Sequence, residues 1–261
     1  MRPEPISFRR RLAAGEPLLG TFIKTPTVHT TEIIGSLGFD FVVIDQEHAP
    51  FNRVATDLIL LAARAAGTAA LVRVPSHAPE LLLAALDDGA QGIVVPHVAS
   101  ADDARAIVAA ARYRGGRRGF SNSPRAGGYG RAGVWEHVDA SDSATAVIAM
   151  IEDPEALDRV DEIAAVDGID AFFIGRGDLT VALQADSVDA PPVRAAVERI
   201  ASAARAHRKP LCAHAGRLDT AELRWLRRLG VSCFVIASDQ GLLRHAALDV
   251  ETRFRELTSG T

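Results

Sequence analysis

Eight short apolar runs of strand-forming character alternate with longer, alanine-rich stretches along the chain. The runs are "PLLGTFIK" (17–24), "FDFVVIDQ" (39–46), "AALVRVP" (69–75), "GIVVPHV" (92–98), "AVIAMIE" (146–152), "AFFIGRG" (171–177), "PLCAHAG" (210–216) and "CFVIASD" (233–239). Between them, segments 53–66, 101–112, 192–207 and 219–229 carry apolar residues at helical spacing. Gly38, Gly67, Gly89, Gly168 and Gly230 follow helical patterns, where left-handed C-caps belong. Eight strand–helix alternations in a chain of 261 residues predict an α/β fold, a (β/α)8 TIM barrel forming one domain over 1–261. A doubly wound open sheet would use the same alternation, but no G-x-G-x-x-G fingerprint follows the first run. The glycines of "GGYGRAG" (127–133) fall in a long break in the rhythm, 113–145, and read as loop. The arginines in and beside that break (112, 114, 117, 118, 125 and 131) suit a solvated basic loop, an anion-binding arm or a subunit contact.

Composition narrows the class of protein. A net charge of −4 implies no nucleic-acid partner, and "FRRRL" (8–12) is too short for a polyanion patch and reads as a solvated helix face. The N-terminus lacks the apolar stretch of a signal peptide, and no apolar run approaches the roughly 20 residues that span a bilayer. Cys212 and Cys233 lie inside apolar runs without metal-ligand spacing, as small buried hydrophobes of a reducing compartment do. A cytoplasmic protein without membrane association is the expectation. The last helical stretch, "QGLLRHAALDVETRFREL", is amphipathic and either closes the barrel on its own subunit or is exchanged with a neighbour.

In a (β/α)8 barrel, chemistry sits at the C-terminal ends of the strands. The second run ends in Asp45, Glu47 and His48, the third carries Arg73 between valines, and the fifth ends in Glu152. The sixth leads into "GRGDL", which places Asp178 in a glycine-flanked turn. Glu152 and Asp178 lie one strand–helix unit apart, so they belong to adjacent strands. Two converging carboxylates suit a hard divalent cation that keeps open positions for water and a chelating substrate. Each acid taken alone is as well explained by a strand-end hydrogen bond. Gly175 and Gly177 allow backbone N–H groups to approach an anion at a helix start. The remaining histidines read as surface or hydrogen-bonded groups, with His97 and His214, near strand ends, the exceptions to watch.

"GFDFVVIDQEHAP", "ALVRVP", "LDDGAQGIVVPHV", "RGFSNSPRAGGYG", "MIEDPEAL", "DGIDAFFIGRGDL" and "VIASDQGLLRHA" resemble, in order and nearly end to end, the HpcH/HpaI aldolase family. The resemblance implies a metal-dependent aldolase of 4-hydroxy-2-keto acids, with Mg²⁺, Mn²⁺ or Co²⁺ on Glu152 and Asp178. It implies that backbone groups around Gly175, Arg176 and Gly177 hold a pyruvate carboxylate, and that Arg73 stabilises the enolate oxygen. His48 would move protons, with Asp45 and Glu47 ordering water. Asp87 would pair with His48; since it precedes the fourth strand, it would do so from a neighbouring subunit of a homo-oligomer, a hexamer by family precedent. Two departures stand out: Met150 replaces a glutamine familiar in relatives, and "GRGDL" replaces "G-P-x-DL", adding Arg176.

The expected reaction is reversible cleavage of a 4-hydroxy-2-keto acid, such as a 2-keto-3-deoxy sugar acid, to pyruvate and an aldehyde. The arginines of "RGFSNSPRAGGYG" are candidates to receive a distal carboxylate. Three other readings compete. A CoA-linked or citrate-type lyase or synthase would use the same barrel. A Schiff-base aldolase would use Lys24 at the end of the first strand, whereas Lys209 faces the opposite rim. A non-catalytic sensor would be expected to have lost one of Glu152, Asp178, Arg73 and His48.

Overall fold

The computed structural model describes residues 7–259. Its eight strands are β1 (Leu18–Ile23), β2 (Phe41–Asp45), β3 (Ala69–Arg73), β4 (Gly92–Val95), β5 (Ala146–Ile151), β6 (Ala171–Ile174), β7 (Leu211–Ala215) and β8 (Val231–Ser238). Each pairs in parallel with the next and β8 pairs with β1, closing a (β/α)8 barrel as the alternation predicted. The helices are α1 (Phe8–Ala13), α2 (Val28–Ser36), α3 (Arg53–Ala66), α4 (Pro79–Asp87), α5 (Ala101–Ala111) and α6 (Val134–Ala144). Then follow α7 (Pro154–Asp158), α8 (Val160–Ala164), α9 (Arg176–Ala182), α10 (Pro191–Ala206), α11 (Thr220–Leu229) and α12 (Asp239–Thr258).

Local chemistry sets these boundaries. Asn52, Ser100, Asp219 and Ser238 accept backbone N–H bonds at the starts of α3, α5, α11 and α12, satisfying donors that have no intrahelical partner. All five glycines expected to close helices have positive φ, and Gly67 and Gly230 are themselves C-caps.

Two apolar layers follow from strand alternation. Val42, Ile44, Val72 and Ile93 face outward and pack with helix residues such as Ile59, Leu60 and Leu82. Phe41, Val43, Leu71, Ile148, Met150, Phe173, Cys212 and Cys233 fill the barrel interior. Both cysteines are free and buried, as expected. The N-terminal mouth is plugged by α1, whose Phe8 and Leu12 join the interior layer, with the Phe8 ring 5.1 Å from that of Phe41. Gly20 makes room for this plug, because a Cβ there would meet the Phe41 ring at 2.4 Å. The basic residues of "FRRRL" are therefore more than a solvated face: Arg9 pairs with Asp170, and Arg11 with Glu16 and Asp40.

The long break at 113–145 is likewise more ordered than a loop, since it contains α6. Several of its basic side chains make internal ion pairs: Arg112 with Asp170, Arg114 with Asp139, Arg118 with Asp87 and Arg125 with Asp57. No helix among the described residues is long and apolar enough to cross a membrane.

Candidate active site

The interior parity that packs the barrel also aims its polar groups. Two residues beyond Val43, Leu71, Met150 and Cys212, all interior, stand Asp45, Arg73, Glu152 and His214. Asp45 and Arg73 are direct partners in the β2–β3 register.

Asp45 is fully buried and organises this end of the barrel. Its Oδ1 accepts from Arg73 Nε at 2.9 Å, and Oδ2 from Arg73 Nη2 at 2.7 Å. Lys24 Nζ lies 3.1 Å from Oδ2, and the backbone N–H groups of Glu47 and His48 donate to Oδ1. Burial alone would push the Asp45 carboxyl up, but the Arg73 guanidinium and the other donors together hold it below its ordinary value. Both oxygens are engaged by protein groups, which tie Asp45 to Arg73, Lys24 and the β2 turn. Arg73 also lies 3.2 Å from Glu47 Oε2 and 4.8 Å from the Phe22 ring centroid. A guanidinium has five N–H donors, and the two bonds to Asp45 leave others for the cavity that Arg73 lines.

His48 is half exposed, with Nε2 3.7 Å from Glu47 Oε2. Glu47 also stands 3.7 Å from His97 Nε2. His97 has a left-handed backbone, φ 54°, which directs its N–H onto Glu152 Oε1 at 2.8 Å, while its ring meets Asp153 at 3.2 Å. Such a conformation costs a non-glycine residue on the order of 1–3 kcal/mol. Burial lowers the His97 ring's proton affinity, but Asp153, Glu152 and Glu47 outweigh it and hold the pKa above its ordinary value.

Glu152 is 1% exposed; among the described residues it pairs with no lysine or arginine, and its nearest basic group is His97, with Nδ1 3.7 Å from Oε1. Desolvation is the main reason its pKa is pushed up to about 7; the His97 N–H works against this, and the Asp178 charge adds to it. Gly175 permits the arrangement: a Cβ there would meet Glu152 Cβ at 2.4 Å and Oε2 at 2.5 Å. The Gly175 N–H donates to Ile151 O in the sheet, so the N–H groups open to an anion belong to the following residues, where α9 starts. Asp178, on the first turn of α9, lines the cavity.

That cavity, of about 750 Å³, opens at the C-terminal ends of the strands, with Arg73, Met150, Gly175, Gly177 and Asp178 among its lining residues. A second one, of about 570 Å³, lies on another face between α1, α3 and Arg125, away from every strand-end acid described above. His214 sits in the wall of the first, its ring 5.6 Å from that of Phe22. Burial, reinforced by the charge of Arg176, brings its pKa down to about 4.

Asp87 is not brought to His48 within the chain. It sits at the end of α4, where its Oδ1 accepts from Arg118 Nη2 at 2.9 Å; Arg118 in turn covers the Tyr113 ring at 4.5 Å. Arg118 and Arg125 of "RGFSNSPRAGGYG" pair with Asp87 and Asp57 and do not line the cavity of their own chain. Sequence reasoning also left His97 without a role. Its position at the end of β4 was the available signal, but its left-handed backbone carried none.

Two carboxylates at the strand ends, Asp178 lining the cavity and Glu152 buried beside it with the His97 ring 3.7 Å away, fit an oxygen-liganded metal site open to substrate. Among the described residues no three His, Cys, Asp or Glu side chains gather into a group that could hold a metal ion by themselves. The family model for HpcH/HpaI aldolase/citrate lyase matches residues 18–246. The chain belongs to that family. A 5-keto-4-deoxy-D-glucarate aldolase of Escherichia coli is 33% identical over 257 residues, covering 97% of this chain and 98% of the relative. A solved HpcH/HpaI aldolase/citrate lyase family protein from Burkholderia cenocepacia superposes with a TM-score of 0.89 at 29% identity, covering 95% of this chain and 98% of the other. The solved citrate synthase SbnG reaches a TM-score of 0.86 at 30% identity, covering 96% and 98%. The chain is therefore a carbon–carbon lyase of the aldolase type.

Proposed function

We propose that this protein is a divalent-metal-dependent pyruvate aldolase that reversibly cleaves a 2-keto-3-deoxy sugar acid, or a related 4-hydroxy-2-keto acid, to pyruvate and an aldehyde. The observation that carries the reading is Glu152, buried beside Asp178 and facing, among the described residues, the His97 ring at 3.7 Å but no lysine or arginine. These two residues would hold Mg²⁺, Mn²⁺ or Co²⁺. The ion, when bound, supplies Lewis-acid polarisation of the C2 carbonyl.

The chain's own residues account for the other tasks. Backbone N–H groups of Arg176 and Gly177 at the start of α9 receive the pyruvate carboxylate. His48 takes the proton of the C4 hydroxyl, with Glu47 orienting the imidazole. The C3–C4 bond breaks, its electrons remain on the three-carbon fragment, and the aldehyde departs. Arg73, locked onto Asp45, directs its remaining donors at the enolate oxygen, where a fixed dipole needs no reorganisation. Protonation at C3 then yields pyruvate. A general base of this kind contributes roughly 10²–10⁴-fold.

The partner for the His48 ring is Asp87 of a neighbouring subunit in a homo-oligomer. Support comes from α12, whose Leu243, Val250, Phe254 and Leu257 are exposed in the isolated chain and recur on one face. That helix is exchanged onto a neighbour, and the exposed Ile33 of α2, Leu37 at its C-cap, and Val54 and Leu58 of α3 offer an apolar receiving surface. The buried free cysteines suit a cytoplasmic setting.

The likeness to SbnG keeps one alternative, condensation chemistry of the citrate type on the same metal site. The Schiff-base reading is disfavoured by Lys24, which would have to give up its ion pair with Asp45. Pyruvate release should be screened over 2-keto-3-deoxy sugar acids and 4-hydroxy-2-keto diacids. Release that EDTA stops and added metal restores supports the reading. Activity that resists EDTA but is trapped by borohydride sinks it.

A further inference from the structure

The peptide group joining Pro96 to His97 lies just past β4, where the regular pairing of β4 with β5 ends at Val95 and Ala149. Pro96 has no N–H to give, and the next backbone bond to β5 is Val98 N–H to Met150 O at 3.2 Å. Between them the chain turns through the left-handed conformation of His97, φ 54°. Both polar ends of the intervening peptide are occupied by side chains. Its N–H donates to Glu152 Oε1 at 2.8 Å, and its carbonyl, Pro96 O, accepts from His77 Nε2 at 2.6 Å. A carbonyl oxygen only accepts, so His77 carries a proton on Nε2.

A peptide group is a rigid plane whose C=O and N–H point in opposite directions, so neither end turns without the other. His77 comes from the loop between β3 and α4, and Glu152 from the end of β5, so the peptide after β4 is gripped from both neighbouring strands. A hydrogen bond accepted by the carbonyl also polarises the N–H of the same plane and strengthens its donation. A non-glycine residue keeps a conformation like that of His97 only where its surroundings impose it. The His97 ring, half-exposed and 3.2 Å from Asp153, is a looser hold than the 2.6 Å bond from His77.

We infer that His77 is a positioning residue for Glu152. Through the Pro96–His97 peptide it fixes the N–H that holds Oε1, and leaves Oε2, which lies against Gly175, for the cation. This rests on the metal reading of Glu152 and Asp178, and it adds a residue that acts on the acid through the backbone.

The test makes two measurements on the intact chain. One is hydrogen exchange at the His97 amide of the metal-free protein, followed by selective ¹⁵N-histidine labelling and assigned by its loss in His97→Asn. The other is Mn²⁺ affinity by calorimetry. Wild type is compared with His77→Ala and with His77→Gln, whose side-chain amide returns a donor near the place of Nε2. In His77→Ala the exchange should quicken and the affinity weaken, each by about tenfold, the scale of one lost hydrogen bond. In His77→Gln both should stay within about threefold of wild type. Should His77→Ala not fold, His77→Phe, which fills the ring's volume without a donor, takes its place. Exchange unchanged by the loss of His77 means that Asp153 or the local packing holds the peptide, and overturns the inference. So does faster exchange with unaltered Mn²⁺ affinity, or a glutamine that restores neither. A wild type that binds no Mn²⁺ removes the metal reading instead, and exchange alone then decides. Exchange that quickens in His77→Ala and recovers in His77→Gln keeps His77 as the residue that positions the Glu152 carboxylate; any other pattern overturns it.

Discussion

Arg73 shows how one residue's neighbours define its work. Asp45 grips it in a two-point fork and Phe22 lies beneath it, so both its charge and its planar shape matter. Arg73→Lys keeps the charge but loses the fork. The expected outcome is a fall in kcat of about 10²–10³-fold, the size of a lost oxyanion-type donor, with metal affinity, measured by calorimetry, unchanged. His214 supplies a test of burial by pH. Its pKa is about 4 in the folded protein against 6.5 as the ordinary value. Between those values the unfolded chain binds a proton that the native state refuses, so stability falls as pH falls through this window. The full loss, on the order of 3 kcal/mol, is reached below about pH 4. Urea midpoints should therefore decline less steeply from pH 6.5 to 4 in His214→Gln than in wild type, and parallel curves would contradict the account.

At the scale of elements, much was readable because strand period 2 is strict. The spacing from Val43 to Asp45, Leu71 to Arg73 and Met150 to Glu152 carries the interior face outward to the catalytic rim. What could not be read depends on backbone torsion or on meetings between distant segments. The φ of 54° at His97 has no residue signature. The ion pairs of Arg112, Arg118 and Arg125 join the irregular segment to acids 58, 31 and 68 residues away, and a basic run by itself does not disclose partners at such separations. The junction of β6 and α9 offers the sharpest test at this scale. Gly175→Ala forces a methyl group into Glu152. Overpacking of this kind costs about 1–3 kcal/mol, and it moves the acid proposed to hold the metal. The thermal midpoint should fall and metal affinity should weaken together; full metal affinity in a folded variant would contradict the role given to this glycine.

The whole molecule raises a question that a single chain leaves incomplete. Asp87 and His48 belong to different faces of one barrel, and α12 buries only Asp239 among its residues. An assembly resolves both features if a neighbour brings Asp87, with its Arg118 partner, to the rim. His48→Ala and Asp87→Ala homo-oligomers should each be impaired in turnover. Unfolding and refolding the two together should restore part of the activity, because some mixed interfaces then carry both native residues. Mixtures no more active than their parents would mean that the two residues do not act across a subunit boundary. The position of Asp87 before β4, away from the strand ends, was legible in the sequence, as was the amphipathic character of the last helix; that the apolar face of α12 stays exposed became visible only once the barrel was seen to close without it.

On the proposed function, turnover depends on a divalent ion held by Glu152 and Asp178. The most direct measurement of this dependence is pyruvate release from a 4-hydroxy-2-keto diacid by chelator-stripped protein, titrated with Mn²⁺, for wild type and Glu152→Gln. The expected outcome is no release without metal, saturable recovery in the wild type, and recovery in the variant only at far higher Mn²⁺ if at all. Metal-independent release, or a variant that recovers at the wild-type metal concentration, would contradict it.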